Sequence, residues 1–118
     1  MRVVVRKEGE AGLVEFDSPY GAAVAKWAGP VSTGEVELEI AELLTWGPTP
    51  ERAPRLAWRE GRIELVGLVE SALGDDLFAV RLGSSVVTME IPTGEEIHGK
   101  WILVTIEPGQ LTLYPYTS

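Results

Sequence analysis

The sequence predicts an all-β protein built around a small five-stranded barrel. Apolar and polar residues alternate with the period of two that is typical of strands in several segments, and helix signals are weak along the whole chain. A chain of 118 residues with 45% hydrophobic residues is long enough to bury a core. We therefore expect residues 1–118 to form a single domain.

The clearest strand is GEVELEIAE, in which three apolar residues alternate with three glutamates. This pattern predicts one buried face and one solvated face. The solvated face carries Glu35, Glu37 and Glu39. Upstream, the alternation over residues 2–16 predicts a hairpin.

The second half of the chain predicts a long strand followed by two hairpins. Residues 62–72 form the long strand, and Gly67 is expected to mark a bend or bulge. In the segment 77–91 a turn at Ser84-Ser85 would place Phe78 opposite Ile91. The second hairpin is predicted over residues 100–115.

The predicted order of a bent strand, a hairpin, a crossing segment and a final hairpin matches the plan of a five-stranded OB-type barrel. We expect this barrel over about residues 60–116, with residues 1–58 as a β-rich N-terminal extension packed on it. A single larger barrel or sandwich that uses residues 35–42 as a central strand is the alternative. Short helices over 41–46 and 50–60 are weakened by nearby prolines.

The tail from Val80 to Tyr114 resembles the OB-like domains of the transport-associated and molybdate-binding type, through a bent strand and a closing segment ending LTLY. That resemblance implies a small-ligand or anion-binding barrel, although the anion-binding motif of those domains is not recognisable. The whole chain also resembles a group of small bacterial proteins, through VELEI, Trp46-Gly47, RLG (81–83) and LYPY (113–116). The second resemblance implies no activity.

Composition argues against several classes of function. The chain has no cysteine, which excludes disulfides, thiolate metal sites and thiol catalysis. Its net charge of −8 repels phosphate backbones at long range, so we expect no general nucleic-acid binding. No apolar run is long enough for a transmembrane helix or a secretory signal, which predicts a cytoplasmic protein.

The stretch GEEIHGKW (94–101) has most of the spacing of a phosphate-binding loop. Trp101 stands where a Mg²⁺-binding hydroxyl is required, and a β-branched run follows in place of a helix. Glu95, Glu96 and His98 form an incomplete metal shell. We therefore expect a solvated turn, with no cofactor and no metal.

Two charged segments are candidate binding sites. The glutamate face predicts an acidic surface for a protein partner. Separately, Tyr114 and Tyr116 at the closing strand predict an exposed aromatic patch for a partner or a second copy. The alternative site is a basic segment with Trp58, which could contact nucleic acid or act as a charge-balancing brace against the acidic strand. Its arginines are Arg52, Arg55, Arg59 and Arg62.

No arrangement of residues selects a catalytic pair or triad, so we do not expect an enzyme. The leading expectation is a non-catalytic interaction module that binds a protein partner or itself. An acidic inhibitor or immunity-type protein is one form of this hypothesis. Small-ligand binding and nucleic-acid binding are the competing classes.

Overall fold

The computed structural model describes residues 1–116, which form eleven β-strands joined by turns and two short 3₁₀ segments. The strands are β1 (Arg2–Glu8), β2 (Leu13–Ser18), β3 (Gly21–Trp27), β4 (Gly34–Ile40), β5 (Thr45–Pro48), β6 (Arg55–Arg59), β7 (Arg62–Gly74), β8 (Leu77–Leu82), β9 (Ser85–Glu90), β10 (Trp101–Ile106) and β11 (Leu111–Pro115). No helix within this part of the chain is long and apolar enough to cross a membrane.

Five strands close a barrel in the order β1-β2-β3-β11-β4. All of its neighbouring strands are antiparallel except β3 and β11, which run parallel, and the barrel closes where β4 pairs with the start of β1. Alternation explains its interior, because every second residue of each strand faces inward. Val14, Phe16, Val36 and Leu113 are buried in this way.

The remaining strands form a second, six-stranded sheet in the order β5-β10-β7-β8-β9, with β6 on β7. The long strand β7 pairs with β6 through its first half and with β8 through its second half. Gly67 lies where this exchange occurs. A Cβ at Gly67 would come within 2.7 Å of the Val80 side chain and 2.9 Å of the Arg81 carbonyl oxygen, so a larger residue would prevent this close approach.

The barrel and the second sheet share one continuous hydrophobic core. On one side β3 packs against β6, and beside this contact the Leu56 N–H donates to the Tyr20 carbonyl over 2.8 Å. Gly21 permits this approach, because a Cβ there would lie 1.8 Å from the Leu56 carbonyl oxygen. On the other side β4 of the barrel packs beside β9, the edge strand of the sheet.

The predicted all-β class with a five-stranded barrel is confirmed, but the barrel is built from a different part of the chain. Its strands come from residues 2–40 and 111–115, whereas the prediction assigned it to about 60–116. Most of 60–116 forms the open sheet. The predicted N-terminal extension therefore supplies four of the five barrel strands.

The predicted hairpin over 100–115 is wrong, although both of its strands exist. β10 pairs with β5 and β7 in the second sheet, whereas β11 crosses to the barrel and pairs with β3 and β4. The turn at Pro108–Gln110 therefore links the two halves of the molecule. A turn signal shows where the chain changes direction but does not specify the next strand's partner.

The hairpin of β8 and β9 is confirmed, with its register shifted by two residues from the prediction. Phe78 pairs with Met89 rather than Ile91, because the turn is formed by Gly83-Ser84 rather than Ser84-Ser85. Gly83 has a φ of 60°, which favours glycine in a two-residue hairpin turn. The two-residue shift keeps every side chain on its predicted face.

The two segments with weak helix signals are strands where they are regular. β5 (Thr45–Pro48) begins at the end of the first segment, 41–46, and β6 (Arg55–Arg59) lies within the second, 50–60. The predicted hairpin over residues 2–16 is confirmed as β1 and β2.

Candidate functional site: an acidic groove between the barrel and the sheet

Strand β4 presents its three glutamates to solvent because the barrel buries the residues between them. Val36, Leu38 and Ile40 point into the barrel, and the glutamates are exposed on the outer face. Neighbouring glutamates are two residues apart along the strand, so their Cα atoms are separated by roughly 7 Å. The predicted acidic ladder of Glu35, Glu37 and Glu39 is confirmed as a surface feature.

Strand β11 brings the two C-terminal tyrosines to the same place. It pairs antiparallel with β4 and sets Tyr114 directly opposite Glu37. The Tyr116 hydroxyl donates to Glu37 Oε1 over 3.2 Å, and its backbone N–H donates to the Glu35 carbonyl over 3.0 Å. Tyr114 is 42% exposed and Tyr116 is 61% exposed. The two separate sequence predictions therefore describe one surface.

The second sheet provides the wall opposite these residues. β9 lies beside β4, and its exposed side chains Val86, Thr88 and Glu90 alternate with buried Val87 and Met89. Leu77 of β8 pairs with Glu90 and is also exposed. The depression between the two walls has a volume of about 490 Å³. A second depression of about 460 Å³ continues past Glu35, Ser85 and Tyr116.

We call this surface the acidic groove. It combines four carboxylates with four exposed apolar or aromatic side chains. Its members are Glu35, Glu37, Glu39, Leu77, Val86, Glu90, Tyr114 and Tyr116. Leu77, Val86 and Glu90 lie on the outer face of β8 and β9, and alternation along those strands does not reveal that this face borders β4. β4 and β9 pack side by side without forming a hydrogen-bonded ladder, and they are distant in the sequence. No local sequence pattern therefore predicts their contact.

The carboxylates of the acidic groove have no arginine or lysine within ion-pair distance among residues 1–116. Glu35 lies 3.3 Å from the Met1 amino group. Partial loss of solvation, followed by the negative charges of Glu37 and Glu35, raises the pKa of the Tyr116 phenol above its usual value. The phenol O–H is the donor in the hydrogen bond to Glu37.

In contrast to most of the groove glutamates, arginines of segment 52–62 have partners of opposite charge. Arg55 lies 2.8 Å from Glu51 and 3.2 Å from Glu64, and Arg59 lies 3.8 Å from Glu64. The hydrogen bond from Arg55 lowers the pKa of the Glu51 carboxyl, and the same contact raises the pKa of Arg55. These arginines are paired within their own neighbourhood and not with the β4 glutamates.

The two outer arginines, Arg52 and Arg62, also have hydrogen-bonding partners. Arg62 lies 3.2 Å from Glu107, and Arg52 donates to the Thr49 carbonyl over 2.9 Å. A nucleic-acid site would need these guanidinium groups to face phosphates or bases. Their present partners favour the role of a charge-balancing brace, with local acids in place of the acidic strand.

The stretch 94–101 forms a turn whose backbone matches the expectation. Gly94 and Gly99 have φ values of 65° and 81°, and the His98 N–H donates to Glu96 Oε1 over 3.0 Å. A strand begins at Trp101, so the loop does not lead into the helix that a phosphate-binding loop requires. No group of three acidic, histidine or cysteine residues within 1–116 is arranged to hold a metal ion.

Comparison of the chain with known protein families, curated proteins and solved structures finds no match. The resemblance of the C-terminal half to OB-like domains therefore has no support from a related protein, and the geometry of the chain itself must carry the functional argument.

Proposed function

We propose that this protein is a non-catalytic interaction module that binds a basic segment of a protein partner in the acidic groove. One observation carries the proposal. The fold collects the three β4 glutamates and both C-terminal tyrosines on one groove whose opposite wall carries exposed Leu77 and Val86. Their positions in the sequence are far apart, and β11 and β9 bring them together.

The chemistry of the acidic groove suits a basic polypeptide. Glu37, Glu39 and Glu90, which have no cationic partner among residues 1–116, attract a basic chain and set its orientation. Exposed tyrosines add apolar contact area and accept arginine or lysine over their rings. Leu77 and Val86 supply the apolar contact that an interface core needs. An extended segment with basic residues at alternate positions would match the spacing of the glutamates along β4.

The same features disfavour two other partners at this groove. A second copy would bring its own glutamates against these, and like charges across an interface are costly. Nucleic acid would be repelled by the groove and by the overall charge of −8. Self-association would have to use another face. We retain the expectation of a cytoplasmic protein, and an inhibitor or immunity-type protein that neutralises a basic partner is the most concrete form of the proposal.

The test uses a fluorescein-labelled peptide of six arginines alternating with threonine, and fluorescence anisotropy as the measure of affinity. The variant E35Q/E37Q/E39Q should weaken binding at least tenfold. The matched control E8Q/E60Q/E95Q removes three exposed carboxylates elsewhere and should change the affinity by less than twofold. Equal losses for both variants would mean that the peptide senses net charge alone and would contradict the proposal.

A further inference from the structure

A second groove lies on the opposite side of the molecule, where β6 approaches the barrel without forming a ladder with β3. It has a volume of about 610 Å³, within the range of small-molecule sites. The lining combines the outer faces of β2 and β3 with Trp58 of β6. We call it the Trp58 groove. It shares no residue with the acidic groove.

Trp58 lines this groove from β6. Leu56, two residues earlier on β6, is buried in the core, and alternation directs Trp58 to the same side of the strand. The core ends before Trp58, so its indole remains 42% exposed above the barrel surface. An aromatic face held over a depression can stack on a ligand or attract a cation.

The floor of the Trp58 groove is unusually apolar for the outside of a barrel. The interior-facing residues of β3 are Ala23 and Ala25, which leaves Ala22 and Val24 on the outer face, where polar side chains are expected. Their small side chains create the depression. Leu13 of β2 extends the apolar floor at one end.

Two carboxylates flank that floor in register. Glu15 pairs across the strands with Val24, and Asp17 pairs with Ala22. Asp17 forms an ion pair with Arg6. Glu15 has no hydrogen-bonding or ion-pair partner among the described residues, and it is exposed to the groove. The lining also includes Glu10, so three carboxylates outnumber one guanidinium.

We infer that the Trp58 groove is a binding site for a small organic cation, such as a quaternary or alkylated ammonium with an apolar body. The cationic head would lie between the Trp58 indole and the Glu15 carboxylate, and the apolar body would cover Ala22 and Val24. This inference is independent of the proposed partner at the acidic groove, because the two sites use different strands and different side chains.

The experiment is an NMR titration of the ¹⁵N-labelled protein with benzyltrimethylammonium, in parallel with neutral benzyl alcohol and anionic benzenesulfonate. We expect the cation to shift the Trp58 indole N–H and the amides of Glu15 and Val24, with an affinity at least tenfold above that of either comparison compound. Equal affinity for benzyl alcohol, preference for the anion, or shifts confined to β4 and β9 would each overturn the inference.

Substitutions separate the contribution of the Glu15 carboxylate from that of the Trp58 ring. E15Q and W58L should each weaken binding of benzyltrimethylammonium at least fivefold, whereas W58F should retain part of it because the ring face remains. E95Q removes one exposed carboxylate outside both grooves and should leave the affinity unchanged. The dispersion of the amide spectrum shows that each variant is folded, and unchanged binding by folded E15Q and W58L would overturn the inference.

Discussion

The glutamates of β4 and the arginines of residues 52–62 look alike in the sequence, as two compact runs of one charge, but the fold treats them differently. Arg55, Arg59 and Arg62 are paired with Glu51, Glu64 and Glu107, and Arg52 donates to the Thr49 carbonyl. The glutamates have no arginine or lysine partner among residues 1–116, and they share their groove with exposed tyrosines. A charge run becomes a candidate binding site when the fold leaves it without a counter-charge.

Reversing the charge of the three β4 glutamates should have the largest effect on the affinity for the basic peptide. The variant E35K/E37K/E39K should reduce the affinity for the alternating arginine–threonine peptide at least a hundredfold, because attraction becomes repulsion along the whole strand. Anisotropy at two salt concentrations measures the effect, and added salt should weaken wild-type binding. A variant that stays folded and binds the basic peptide as wild type does would remove the acidic groove from the account.

Removing Arg55 should lower the stability of the fold and leave the affinity for the basic peptide unchanged. Arg55→Met deletes the hydrogen bonds to Glu51 and Glu64, and Glu64 is mostly buried. We expect a decrease in the free energy of unfolding of about 1–2 kcal/mol, measured by urea denaturation. The affinity for the basic peptide should stay within twofold of wild type. A large gain in peptide affinity would show that the arginines compete for the groove.

The pairing of Glu51 should make this brace sensitive to acid. Arg55 lowers the pKa of the Glu51 carboxyl in the folded state, so the pairing stabilises the fold above the pKa of glutamate in the unfolded chain. The contribution is lost as pH falls through the lowered folded pKa. Glu51→Gln should therefore be less stable than wild type at pH 7, with the difference vanishing in acid. Thermal unfolding at pH 7 and pH 3 measures this; a difference that persists unchanged at pH 3 would contradict it.

The smallest effect is expected from the phenol at the edge of the acidic groove. Tyr116→Phe removes only the hydrogen bond to Glu37 and should weaken peptide binding about two- to threefold. Glu37→Gln should lower the raised pKa of Tyr116 toward its usual value, because a negative neighbour is removed. Absorbance titration of the phenolate, with Tyr116→Phe used to assign the signal, measures the shift. No change in that titration would contradict the contact.

The sequence predicted the faces of the strands better than it predicted their partners. Alternation placed Glu37 outside and Leu38 inside because that distinction depends on each strand alone. For the same reason the predicted faces of β8 and β9 are correct, although the turn lies at Gly83-Ser84 and not at the predicted Ser84-Ser85. Pairing between distant strands has no comparable local signal, which is why β11 was predicted beside β10 and is found beside β4.

The acidic groove shows the same difference between strand faces, which could be predicted, and strand partners, which could not. The glutamates and tyrosines were predicted separately from charge and exposure, and their meeting depends on a register that sets Tyr114 opposite Glu37. The other wall of the groove, with Val86 and Glu90, depends on packing between two sheets. The arginines were predicted to brace against the acidic strand, and that pairing is wrong. Their partners are Glu51, Glu64 and Glu107, and the pairing of Arg62 with Glu107 joins residues that are distant in the sequence.

The most direct test of the contrast is an NMR titration of the ¹⁵N-labelled protein with the arginine–threonine peptide, followed by mapping of the shifted amides. We expect the largest shifts on β4, β9 and β11, around Glu37, Val86 and Tyr114, and no perturbation of residues 52–62. Shifts centred on residues 52–62, or spread evenly over all exposed carboxylates, would contradict the claim that the acidic groove is the binding surface.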